Sequence, residues 1–358
     1  NTVLSGNGQH AAIEKADKNG TGTLTIKDDV NNDGKPKTGT KADTTGTLLA
    51  GGFDNSAGIG GGGTGDTADT SKITITGGDI TAVGGYYGAG VGGGDGGDAS
   101  NIRIEGNAHV TAYGEGGAAI GAGYQSNGSS DITITDHATV DAASQNGCGI
   151  GSGLNSYGKV AITISGHASV NTESESLAAA IGSHHSSVTV NIEDNAAVTA
   201  VGLGVAIGTG SGYDYNGGNS TVINITGGTV NAVTRDNSRP AIGTVDGNLD
   251  LTINSSTGKT TVNAYTTSSD PQSLNIGTGR YDSSARKYRT SPSEGAEYNE
   301  DGSSNLGESN AAVINFYRKA TLSAGAFNVP KTLDDYAFKD SSIYPQKHTL
   351  SGKGDLYK

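Results

Sequence analysis

A phrase that returns about every 30 residues constrains this chain more than any other feature. One copy runs Ile73-Thr74-Ile75-Thr76-Gly77-Gly78-Asp79-Ile80-Thr81-Ala82 and closes on Gly88-Ala89-Gly90-Val91-Gly92-Gly93. The same apolar positions recur as Ile102/Ile104, Val110 and Ile120, then Ile132/Ile134, Val140 and Ile150, then Ile162/Ile164, Val170 and Ile181. They continue as Val190/Ile192, Val198 and Ile207, as Ile223/Ile225, Val230 and Ile242, and as Leu251/Ile253, Val262 and Ile276. A fixed period of this size is the signature of a solenoid, in which each repeat buries its apolar face against its neighbours alone.

Inside a repeat the apolar residues alternate with polar ones, which is the period of a strand rather than a helix. Three short strands per repeat, separated by Gly, Asn and Asp turns, predict an all-β chain wound into a right-handed parallel β-helix of roughly nine to ten coils. The helix is expected over residues 1–329, with Ile314-Asn315-Phe316 as a first strand equivalent to Ile132-Thr133-Ile134. Residues 330–358 lose the pattern, contain Pro330 and Pro345, and are expected to form a cap or linker. Segments 27–46, 234–240 and 279–311 break the rhythm as loop insertions, which in solenoids often mark the working face.

Composition fits a narrow stacked core: 60 of 358 residues are Gly and only 33% are hydrophobic. The net charge of -13, with no Lys/Arg-rich run, argues against nucleic acid as a partner. No apolar run is long enough for membrane insertion. A single cysteine excludes a disulfide framework. Cys148 lies two residues before Ile150 and is expected to point inward as a small buried hydrophobe. Without an initiator Met or signal segment, the chain reads as a processed piece of something larger. Few Cys with many Thr, Asn, Ser and Gly fit a bacterial extracellular or cell-surface protein.

The outward residues of the first strands (Thr74, Arg103, Thr133, Thr163, Asn191, Asn224) and of the second strands (Thr81, Thr111, Asp141, Asn171, Thr199, Asn231) are expected to form hydrogen-bonded ladders along the rod. The third-strand face differs. Its outward positions read Gly90/Gly92, Ala119/Gly121, Gly149/Gly151, Ala180/Gly182, Ala206/Gly208 and Ala241/Gly243, which predicts a bare trough open to close approach. A homo-oligomer through this Gly/Ala face is one way to cover it. Tyrosines border it: Tyr86 and Tyr87 precede the third strand in one coil, and Tyr124, Tyr157, Tyr213 and Tyr215, with Asp214, follow it in others. Aromatic rings stack on the apolar faces of sugars while Asn, Asp and His meet hydroxyls, so a polysaccharide or host glycan is the leading ligand class. Glu173, Glu175, His184 and His185 flank one third strand in what read as exposed turns, and such carboxylates and imidazoles could cleave a glycan as a glycoside hydrolase does. A purely structural stalk or self-assembling unit is the third reading.

Asp29-Val30-Asn31-Asn32-Asp33-Gly34 matches the first half of a calcium loop, although its twelfth position is Thr40 rather than Glu. Calcium is accordingly expected at Asp29, Asn31 and Asp33. Asp17/Asn19 and the Gly93–Asp98 run are looser echoes. His109, His137 and His167 sit beside second strands in consecutive coils and read as exposed turn histidines, with His137 and His167 aligned in the stack.

The phrase at residues 73–94 resembles the β-helical repeats of large surface proteins of Gram-positive gut and cellulolytic clostridia. It is similar, more distantly, to the clostridial carbohydrate-binding β-helix family. The resemblance covers roughly residues 10–329 and implies a stalk or a carbohydrate-binding module. That family carries an Asp-Gly-Ile-Asp-like third strand whose Asp residues are implicated in calcium binding. Here the positions read Ala89-Gly90-Val91-Gly92, Ala118-Ala119-Ile120-Gly121 and Cys148-Gly149-Ile150-Gly151, so those ligands are not carried over.

Overall fold

A computed structural model of the chain describes residues 2–5, 8–15, 22–28, 46–65, 68–210, 219–236, 239–245, 248–253, 260–266, 276–282, 287–291 and 312–318. They form an all-β parallel solenoid of three sheets with about seven turns. Two sheets have ten strands and the third has eight, and neighbouring strands that pair in parallel are one coil apart in sequence. Among the described residues no helix is long and apolar enough to cross a membrane.

The strand register follows the sequence phrase residue by residue. In the first-strand sheet Ile102, Ile132, Ile162, Val190 and Ile223 lie in one column, with Ile104, Ile134, Ile164, Ile192 and Ile225 in the next. Ile80, Val110, Val140, Val170, Val198 and Val230 form the second-strand column. Ile59, Val91, Ile120, Ile150, Ile181, Ile207 and Ile242 form the third. All are buried and make one continuous core. Outward side chains form the expected ladders: Asn171 donates to Asp141 (2.9 Å), Asn224 to Asn191 (3.0 Å) and Asn263 to Asn231 (2.8 Å). Corner residues join coils too, since the Gly106 N–H donates to Asp136 Oδ2 and the Gly166 N–H to Asp194 Oδ2, each at 3.0 Å.

The third side is built differently from the other two, and the expected open trough is absent. Each third strand bridges only two or three residues and sits at the base of a pinch, in which the Ala118 N–H donates to the Ala122 carbonyl and the Cys148 N–H to the Ser152 carbonyl (both 2.9 Å). Gly121, Gly151 and Gly182 hold φ near +138°, +136° and +140°, a region essentially restricted to glycine. A Cβ on Gly151 would collide with the Gly182 carbonyl of the next coil. The chain on either side of the pinch forms a second backbone layer, bonded coil to coil by Gly85 N–H to Ser56 O, Gly96 N–H to Tyr124 O and Leu154 N–H to Gly116 O. These loops cover the Gly/Ala positions, and Ala119, Ala180, Ala206 and Ala241 are fully buried. Bare backbone here serves close packing of the chain on itself.

Three placements depart from the sequence reading. Cys148 is buried as expected, but it clusters with Ala178 and Ala179 in the loop layer rather than in the coil interior. Burial pushes its thiol up to about 11, against smaller hydrogen-bond contributions from Ser152 and Ala179. At the start of the 279–311 segment, Ile276–Asp282 and Lys287–Ser291 form an antiparallel hairpin. The chain then returns as Ala312–Arg318, where Ile314 pairs with Val262 and Phe316 with Ala264. Ile314–Phe316 is therefore a second strand rather than a first. Residues 330–358 lie outside the described residues.

Candidate functional site

The loop layer sorts the tyrosines into two groups. Tyr87 precedes the third strand of its coil, and Tyr124 follows the third strand of the next. The Tyr124 N–H donates to the Tyr87 carbonyl at 2.9 Å, so backbone pairing itself brings the two segments together. The Tyr87 and Tyr124 rings are 4.9 Å apart, and Tyr86 meets Tyr87 edge-on at 4.6 Å. Tyr86 is 42% exposed. Beside this trio stand Asp54 and Asp95, which the sequence reading did not connect to it. Burial raises the Tyr87 phenol pKa, and Tyr86, Tyr124, Asp95 and Asp54 add to the rise in that order. Burial, followed by the Asp54 carboxylate, raises the Asp95 pKa.

Tyr157 belongs to a second ledge. It is 56% exposed, and its ring lies nearly parallel to the His185 imidazole at 5.9 Å. His185 in turn meets His184 edge-on at 3.8 Å. His184 is buried rather than in an exposed turn. Its Nδ1 accepts the Asn155 N–H at 3.2 Å, and its own N–H donates to Ser152 Oγ at 2.8 Å. Burial, then His185 and Arg239, push its pKa down to about 3.

This has a measurable consequence. Between about pH 6.5 and 3 the unfolded chain protonates this histidine and the folded one does not. Stability therefore falls as pH drops through that window, by about 2 kcal/mol at pH 5 for a shift of this size. Melting curves at pH 7 and pH 5 check it. His184→Gln should recover most of that acid loss; an acid loss identical to wild type would contradict the assignment.

Glu173 is also not in a turn. It lies next to the last residue of a second strand, in register between Ala143 and Val201, and is fully buried. Its carboxylate is ion-paired with Arg235, which reaches back from the 234–240 insertion, while Arg239 donates to Asp236 Oδ2 at 2.7 Å. A carboxylate sealed in this way cannot meet a glycosidic bond. Glu175 is half-buried, close enough to Tyr113 to help raise its phenol pKa after burial and Glu115. The Glu173–Arg235 pair ties Arg235 and its segment back onto the rod.

His109, His137 and His167 stay outside both ledges. His137 and His167 stack face to face at 5.1 Å, as their alignment predicted. His109 bridges Asp79 (3.2 Å) and Asp141 (3.3 Å), and the Asp141 hydrogen bond raises its pKa against the opposing effect of burial, with Asp79 adding to the rise. Among the described residues no group of three or more His, Cys, Asp or Glu side chains is arranged to hold a metal ion. Asp98, in the glycine–aspartate run, instead accepts hydrogen bonds from Ser126 Oγ (2.8 Å) and the Gly128 N–H (2.7 Å). Asp17, Asn19, Asp29, Asn31, Asp33, Tyr213, Asp214 and Tyr215 lie outside the described residues.

Four segments match the family model of the beta helix repeat: residues 73–95, 102–124, 132–154 and 223–244. Each runs from an inward first-strand Ile through the third strand of the same coil, so the match coincides with the structural repeat. No curated protein and no solved structure matches the chain. The chain carries a beta helix repeat domain.

Proposed function

We propose that this solenoid is a non-catalytic glycan-binding module of a bacterial extracellular or cell-surface protein. The observation that carries the reading is the pair of exposed aromatic ledges, Tyr86–Tyr87–Tyr124 and Tyr157–His185, held on one loop layer by backbone bonds between coils. Rings fixed in this way lose little conformational entropy when a polysaccharide or host glycan lies across them, and their faces suit the apolar faces of pyranose rings. The burial of the Gly/Ala strip moves the proposed contact from a bare trough to the rings standing above it.

A glycan array and polysaccharide pull-down test the proposal. Tyr86→Ala and Tyr157→Ala should each weaken binding about three- to tenfold, the scale of one aromatic contact. Binding that both variants retain in full would sink the reading. The outward hydrogen-bond ladders favour a plain stalk as the second reading, and a wild-type chain that binds no glycan would select it. The burial and ion pairing of Glu173 count against it as the acid or base of the glycan-cleaving alternative.

A further inference from the structure

The Tyr86–Tyr87–Tyr124 patch carries a charge that its aromatic residues alone would not give it. The Tyr87 N–H donates to the Asp54 carbonyl (2.9 Å), and the Asp95 N–H donates to the neighbouring Asn55 carbonyl (2.8 Å). The turn at Asp54–Asn55 therefore holds both the ring-bearing segment and the segment of Asp95. Gly96, next to Asp95, donates its N–H to the Tyr124 carbonyl at 2.7 Å. Two carboxylates are thus tied by backbone to both sides of the ring cluster. Asp54 is exposed and fixed at φ 51°, and Asp95 is half-buried.

We propose that this patch takes uncharged or amino-substituted sugar residues and turns away uronate, sialyl and sulfated ones, an inference that rests on the glycan-binding reading above. An anionic sugar stacked on Tyr86 or Tyr87 brings its charge close to Asp54 and Asp95 in partly water-excluded surroundings, where like charges repel more strongly than in bulk water. The chain's net charge of -13 adds a field of the same sign at longer range. An ammonium on the sugar reverses both effects. The selectivity belongs to this patch in particular. At the other ledge Lys159 follows Tyr157 by two residues, and the Arg235 and Arg239 charges are matched by Glu173 and Asp236.

Titration calorimetry with oligosaccharides of equal length distinguishes the outcomes: a neutral β-glucan, chitosan and polygalacturonate. The wild-type protein should prefer the first two by about tenfold at low salt, the size of one partly screened like-charge contact. In about 1 M salt, where screening acts within roughly 3 Å, the preference should shrink to a few-fold. Asp54→Asn with Asp95→Asn should relax it at low salt, so that polygalacturonate and neutral glucan bind within a few-fold of each other. Asn tolerates the left-handed backbone at position 54, and a melting temperature equal to wild type confirms that the fold survives. Polygalacturonate bound as tightly as neutral glucan by the wild type, or rejected as strongly by the double variant, overturns the inference and leaves glycan binding standing. Failure of the wild type to bind any of the three overturns both.

Discussion

Gly151→Ala is expected to unfold the central coils, although it adds a single methyl group to a buried small-residue strip. Gly151 holds φ +136°, where an L-residue is strained by about 1–3 kcal/mol. Its new Cβ would also strike the Gly182 carbonyl, which is backbone of the next coil and cannot rotate away. Forcing that coil outward costs about 1–3 kcal/mol more. The combined cost of about 2–6 kcal/mol is comparable to the whole stability of many domains. Because each coil touches only its neighbours, the damage should be local. Hydrogen exchange should accelerate in the coils carrying Ile120, Ile150 and Ile181 before it does so near Ile242. Gly96→Asn provides the contrast. Gly96 also has positive φ (+75°), but its Cβ direction is open and Asn tolerates that region, so melting should stay within about 1 kcal/mol of wild type. Equal stability of the two variants would show that the third-strand glycines are not under steric constraint.

The same column shows what the sequence made legible and what it did not. Position Gly151 reads Gly in eight consecutive coils, from Gly60 through Gly92, Gly121, Gly182, Gly208 and Gly243 to Gly277, with Glu14 in register only in the leading coil, whereas the column at Gly149 mixes Gly90, Ala119, Ala180, Ala206 and Ala241. Both columns lack bulk, and that alone reads as a bare face. The difference between them is the available signal: a column that stays Gly through eight consecutive coils points to positive φ and backbone contact, not to an open trough. The inward columns were legible because an apolar residue every second position has only one burial solution in a stacked coil. Loop contacts were not, because Tyr87 meets Tyr124 through a backbone bond between non-equivalent loops of adjacent coils. Arg235 reaches Glu173 across two coils, a distance set by side-chain length rather than by repeat spacing. For Cys148 the alternation predicts burial but not which core, since the pinch at Cys148–Ser152 directs the residue two before Ile150 into the loop layer.

Ile134→Asp and Thr133→Asp place the same carboxylate on adjacent residues and should have opposite outcomes. Ile134 is fully buried, with Ile104 and Ile164 in register above and below it. Removing the side chain forfeits about 1.5–3 kcal/mol of burial. The replacement carboxylate would face only aliphatic side chains, and keeping it charged or protonating it there costs several kcal/mol more. The total of about 5 kcal/mol or greater should melt the coils on either side while distant coils persist, giving a partial, low-temperature transition. Thr133 points outward between Arg103 and Thr163. An Asp there stays hydrated beside a guanidinium already bonded to Glu105 at 2.9 Å, so the change should remain within about 1 kcal/mol. Thermal melts of the two variants decide the matter. A one-residue slip in register would exchange their effects completely, because every side chain on the strand would then change faces. The contrast therefore tests the alternation on which the placement of all three sheets, and of the tyrosine loops between them, depends.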